Sequence, residues 1–168
     1  MKQALINYVQ TPKFDDIFTP PEAVEPLLKY IPKGVTVWEC CDNGGGSEIT
    51  RLLIEHGCEV ITTGKEEDFL HYDQQKHFDI IVTNPPYSMK DKFIKRCYEW
   101  GKPFCLLLPI TALEGKARGK MYREHGIEVL VFDARINFQK DKKGTWFNTS
   151  WFCHNVLPEQ LIFEELKM

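Results

Sequence analysis

An α/β fold with a mainly parallel sheet, covered by helices on both faces, is what this 168-residue sequence predicts. Three observations carry that prediction. Strand-like runs recur at 35–39, 59–63, 79–83, 104–110, 128–133 and 149–156, and the one at 79–83 is apolar and β-branched, the composition of a strand buried on both faces. Helical spacing of apolar residues fills the gaps at about 47–57, 89–100 and 114–125. The connections between these segments are short, which returns each helix directly onto the sheet. Composition agrees with one well-buried domain over residues 1–168: 43% of the chain is hydrophobic and 27% charged.

Taken in order, the chain begins with a polar stretch. Pro20 and Pro21 then open a helix, with Thr19 as its expected cap, Glu22 in its first turn, and Ala23, Val24, Leu27, Leu28 and Ile31 on one face. The first strand, Val35 to Glu39, leads straight into Cys40-Cys41-Asp42-Asn43-Gly44-Gly45-Gly46-Ser47 and a helix. Glycines let a backbone approach a ligand closely, and a helix N-terminus adds N–H donors. Many cofactors and many plain turns share such a unit. Gly57, Gly101 and Gly126 stand where the following helices should end. No helix separates the last two strand candidates, so one of them runs antiparallel. The sequence shows no repeat, low-complexity tract or linker.

The third run, Asp79 to Thr83, stops at Asn84-Pro85-Pro86-Tyr87. Prolines lack the N–H of a central strand, and a residue before proline is pushed out of the helical region. The chain therefore leaves the carboxyl edge of the sheet in a stiff, extended turn, and ligands of open α/β sheets bind at that edge. The turn presents an amide side chain, free carbonyls and an aromatic ring. A planar exocyclic amine such as adenine's has two N–H donors, which the Asn84 side-chain oxygen and the Pro85 carbonyl are suited to accept. Holding the nitrogen in this way favours its nucleophilic form, and Tyr87 is suited to stack on the base. A sulfonium methyl electrophile would need no metal and no strong base.

The Asn84 turn resembles the catalytic motif of the adenine-N6 methyltransferases, which use S-adenosylmethionine. In that family's acidic-Pro-x-x-Gly-x-Gly pattern Glu39 takes the acidic position and Gly45 the second glycine, while Cys40 replaces the proline and Asn43 the first glycine. Asp68-Phe69-Leu70 matches the element whose acid meets the donor's adenine amine and whose aromatic lies against that ring. Phe18-Thr19-Pro20 resembles the N-terminal donor-contacting element. With Leu106-Leu107-Leu108-Pro109 and Arg135-Ile136-Asn137-Phe138, the likeness covers roughly 14–156 and is nearest to small, phage-type enzymes. It implies a three-layer Rossmann-like methyltransferase fold, with a seven-stranded, mainly parallel sheet and a final antiparallel strand. It also implies that S-adenosylmethionine is held by Phe18, Thr19, Pro20, Glu39, Asn43, Gly44, Gly45, Asp68, Phe69 and Asn84. Catalysis would fall to Asn84, Pro85, Pro86 and Tyr87. One departure stands out. The family's ribose-binding acid after the second strand is missing where Gly64 and Lys65 stand, with Glu66 and Glu67 only afterwards.

Two basic clusters, 114–120 and 139–144, place Lys116, Arg118, Lys140, Lys142 and Lys143 as candidate phosphate contacts. The net charge of −3 requires that any nucleic acid meet a local patch. The leading expectation is adenine methylation of DNA, with the base flipped out or already unpaired. Structured RNA, the glutamine amide of a protein, and a non-catalytic nucleic-acid or protein adaptor are the alternatives. No separate recognition domain is evident, so base specificity would be slight or come from a protein partner or self-association. The six cysteines show no zinc-like spacing and read as reduced core thiols, and no metal is expected. The sequence has neither a signal peptide nor a membrane span, from which a cytoplasmic location is expected.

Overall fold

The computed structural model describes residues 18–42, 46–138 and 148–167. Its strands are β1 (Thr36–Glu39), β2 (Glu59–Thr62), β3 (Ile80–Thr83), β4 (Phe104–Pro109), β5 (Glu128–Phe132), β6 (Thr149–His154) and β7 (Leu161–Glu164). They form one seven-stranded sheet in the order β2-β1-β3-β4-β6-β5-β7. Pairing is parallel except at β6, which runs antiparallel to both β4 and β5. β3 and β4 are buried along their whole length because helices cover both faces of the centre.

Side chains alternate across a strand, so neighbours feed different layers. Val37, Ile80, Val82, Cys105 and Leu107 point to one side, where they meet α1 (Pro21–Leu28) and α2 (Glu48–His56) through Ala23, Val24, Leu27, Ile49 and Leu53. Trp38, Ile81, Leu106 and Leu108 point to the other. There Phe93, Ile94 and Cys97 of α3 (Lys90–Trp100) bury their faces, with Tyr122 of α4 (Lys116–His125) at the margin. The three layers and the expected helices are present. α2 starts at Ser47, whose Oγ accepts from Thr50 N at 3.1 Å, and stops at Gly57, whose φ of 105° is a left-handed position that glycine tolerates.

Two local readings change. Thr19 does not cap α1: Pro20 occupies the cap position with no side-chain bond, and the Thr19 hydroxyl faces Asn84 instead. A strand beyond 156 also forms, β7, lying parallel to β5 at the sheet edge. It alternates Leu161 and Phe163 outward with Ile162 inward, too short and too exposed to register as a buried run. All six cysteines are free thiols, five of them buried. Among the described residues no helix is long and apolar enough to cross a membrane.

β1 pairs with β2 on one side and β3 on the other, so the connections leaving β1 and β3 diverge between them. Such a switch point opens a crevice at the carboxyl edge. β6 enters from that same edge: Thr149 pairs with Pro109, and Ile110 N donates to Asn148 O at 2.8 Å.

A candidate active site at the carboxyl edge of the sheet

The crevice between β1 and β3 is lined by two segments that meet through one carboxylate. Glu39, the last residue of β1, is 1% exposed. Its Oε1 accepts from Cys41 N at 2.9 Å and from the Thr83 hydroxyl, and its Oε2 from Ser47 Oγ at 3.4 Å. Burial pushes its carboxyl up to about 7, against the lowering effect of those three donors, and nearby Asp42 adds a smaller push upward. Glu39 thus fastens both ends of the loop after β1. Asn43, Gly44 and Gly45 lie outside the described residues. Gly46 follows at φ +109°, and a Cβ there would meet nothing within 4 Å, so its near side is open.

Asp42 is a residue that the sequence pattern did not single out. Its backbone N–H donates to Thr63 O at 3.1 Å, and its Oδ2 accepts from Thr50 Oγ1 at 2.5 Å. Its Oδ1 is buried and takes no hydrogen bond among the described residues. A buried carboxylate oxygen left this way suits a cationic or N–H ligand. After β2, Glu67 folds back so that its Oε2 accepts from Gly64 N at 3.1 Å. An acid therefore does stand at the end of β2, supplied from three residues downstream.

On the other wall Asn84 is half-buried. Its Nδ2 donates to Thr19 Oγ1 at 2.9 Å, which fixes the amide plane. Its Oδ1 is buried and accepts no hydrogen bond among the described residues. Pro85 beside it is buried and Pro86 half-buried, so the turn is braced on both sides. Tyr87 departs from expectation. Its ring is 5% exposed and lies in the aromatic layer with Trp38, Phe69 and Phe93, not on the open edge, and burial raises its phenol well above the ordinary range.

Phe69 sits similarly, stacked on Phe93 with ring centroids 4.8 Å apart and edge-on to Trp38 at 5.2 Å. It is 2% exposed, so its ring belongs to the core rather than to a free surface. Asp68 remains at the surface and accepts from Leu70 N at 3.1 Å. Its Oδ2 is 2.6 Å from His71 Nδ1, and that contact, the largest cause, holds its carboxyl below the usual range. Phe18, next to Thr19, is 86% exposed.

The basic residues divide. Arg118 is engaged within the protein: its Nε donates to Ala112 O at 2.9 Å, Nη2 to Glu114 O, and Nη1 meets Asp91 at 2.5 Å, with 14% of the side chain exposed. It ties the start of α4 to α3 and to the segment after β4. Lys116, at the first position of α4, is exposed at the carboxyl edge, as is Arg135 after β5. Lys140, Lys142 and Lys143 lie outside the described residues.

The sequence matches no protein-family model and no curated protein. The fold matches solved structures. A protein from Vibrio vulnificus assigned as a modification subunit of a type I restriction enzyme superposes with a TM-score of 0.60 at 10% identity, over 99% of this chain and 51% of that one. The present chain thus spans about half of that subunit. A protein from Pyrococcus horikoshii assigned as an RNA methyltransferase gives 0.54 at 17% identity, over 94% of this chain and 100% of that one. One from Listeria monocytogenes, assigned as a class I S-adenosylmethionine-dependent methyltransferase, gives 0.56 at 10% identity over 99% and 71%. The chain has the class I, Rossmann-type fold of S-adenosylmethionine-dependent methyltransferases.

Proposed function

We propose that the protein transfers a methyl group from S-adenosylmethionine to the exocyclic amine of adenine in DNA. The observation that carries this reading is the Asn84 amide, whose nitrogen is committed to Thr19 while its buried oxygen has no donor among the described residues. Leaving such an acceptor dry and unpaired costs on the order of 1–3 kcal/mol, a strain that an incoming N–H donor relieves. A flipped adenine brings two N–H donors. Oδ1 of Asn84 takes one, and the Pro85 carbonyl is the natural partner of the other. Both acceptors grow stronger as positive charge develops on the nitrogen, which lowers the barrier rather than only binding the base.

The donor's features fit the opposite wall. Asp42 Oδ1, without a donor among the described residues, suits an ammonium group, Gly46 leaves space beside the described residues for close approach, and Glu67 and exposed Asp68 supply acceptors at the end of β2 and beyond. When bound, S-adenosylmethionine supplies an activated methyl on sulfur. Asn84 and the Pro85 carbonyl would hold the acceptor nitrogen toward that methyl, and the proton the nitrogen loses as it is methylated would pass to solvent water. In this arrangement Tyr87 braces the turn from the core, and stacking on a base requires its ring to turn out of the aromatic layer.

Exposed Lys116 and Arg135, with the lysines at 140, 142 and 143, would meet flanking phosphates at the same edge. The test is incorporation of labelled methyl into single-stranded DNA, transfer RNA and a glutamine-containing protein fragment, beside calorimetric titration of the donor. Incorporation into DNA adenine is expected. Incorporation only into protein, or no binding of the donor, would overturn the reading.

A further inference from the structure

We propose that Thr83 is a positioning residue whose hydroxyl, through Glu39, makes the Asn84 turn respond to occupancy of the loop after β1. This inference rests on the function proposed above. Thr83 ends β3 after Ile80, Ile81 and Val82, and it is fully buried. Packing alone asks only for another β-branched apolar residue at that place, since valine fills the same volume without burying a hydroxyl. The hydroxyl has a specific partner: it donates to Glu39 Oε1, the same oxygen that accepts Cys41 N. Glu39 Oε2 accepts from Ser47, which caps α2, and Asp42 in the same loop is held by Thr50 of α2. One buried carboxylate therefore joins both ends of the donor-side loop to the residue immediately before Asn84.

The consequence is mechanical. A ligand that settles against Asp42 bears on a network already in place, in which Cys41 and Ser47 hold Glu39 and Glu39 holds Thr83. Thr83 then has one hydrogen-bond direction, and the backbone entering Asn84-Pro85 is fixed before the acceptor arrives. The prolines and the Thr19 bond leave the turn few other ways to move. The groups facing the Glu39 carboxylate are the Cys41 amide, the Ser47 and Thr83 hydroxyls, the buried Cys40 thiol and the Asp42 carboxylate. Only Asp42 brings a second negative charge.

Thr83→Val and Thr83→Ser test this. Donor affinity is read by calorimetry, and the Asn84 side-chain amide by nitrogen-15 NMR with and without S-adenosylmethionine. In the native protein and in Thr83→Ser, donor binding should shift and sharpen the Asn84 amide signals. In Thr83→Val the donor should bind within about threefold of the native affinity, while the Asn84 signals stay as in the free protein. Single-turnover transfer should then fall roughly 10- to 100-fold, the ratio set by one hydrogen bond to a charged group. A native-like Asn84 response in Thr83→Val overturns the coupling and leaves the methyltransferase reading intact. Failure of the native protein to bind the donor overturns both.

Discussion

Replacing Asn84 with alanine separates a functional residue from a structural one by the sign of its effect on stability. The substitution deletes one hydrogen bond, Asn84 Nδ2 to Thr19 Oγ1 at 2.9 Å, worth about 0.5–1.5 kcal/mol net. It also deletes a buried carbonyl oxygen that accepts nothing among the described residues, whose desolvation costs about 1–3 kcal/mol. The two terms nearly cancel, with the balance toward stabilisation. For a domain of this size 1 kcal/mol moves the melting temperature by about 2–4 °C. The variant should therefore melt within about 3 °C of the native protein or above it. Donor affinity should change less than about threefold, while methyl transfer falls on the order of 10²- to 10³-fold, as for loss of one aligned polar group in a dry site. The assay is thermal melting, donor calorimetry and single-turnover transfer on one preparation. A melting temperature lower by more than about 6 °C would show that Asn84 holds the segment before α1 to β3, and that its oxygen is not reserved for a ligand.

Three further outcomes follow from the same structure. Glu39 titrates near 4.5 when unfolded and about 7 when folded, so its contribution to stability is complete below 4.5 and lost as pH rises through 7. Glu39→Gln should flatten that stretch of a denaturant-derived stability curve by roughly 3 kcal/mol, and an unchanged slope would refute the assignment. Arg118→Ala should destabilise the fold by about 1–3 kcal/mol by removing its bonds to the Ala112 and Glu114 carbonyls and to Asp91. Lys116→Glu, by contrast, should leave melting unchanged and weaken DNA binding with a shallower salt dependence, and the reverse pattern for the pair would contradict the division of the basic residues. Tyr87→Ala should cost about 3–5 kcal/mol by emptying its place in the aromatic layer, whereas Tyr87→Phe should melt within a few degrees of native. A stable Tyr87→Ala would mean that the ring is not part of the core.

The centre of the sheet was legible because β3 and β4 are buried on both faces, so they appear as apolar runs whatever their register. The helices were legible from spacing and from terminal glycines such as Gly57 and Gly101. β7 was not, since an edge strand that exposes Leu161 and Phe163 lacks that pattern. Within the site, the Asn84 turn could be read from its prolines, which dictate an extended exit wherever they occur. The direction of the Tyr87 ring could not, because it depends on which of two environments an aromatic fills, and the layer around Trp38 and Phe93 claims it. The partners of Arg118 could not be read for a related reason. A glycine-flanked basic cluster looks solvated in sequence, yet the helix that starts there turns one guanidinium onto two carbonyls and Asp91. Asp42 and Glu67 needed the folded loops, since neither stands at the family's acidic positions.

The central claim is that Asn84 receives the amine of adenine, and the destination of the methyl group tests it most directly. Two single-stranded DNA oligonucleotides, alike except that one carries adenine and the other purine at a single position, are incubated with the protein and methyl-labelled S-adenosylmethionine. They are then digested to nucleosides and analysed by mass spectrometry. The account predicts N6-methyladenosine, as the deoxynucleoside, from the first oligonucleotide and no label in the second. Equal label in both, or label on any other atom, would contradict it.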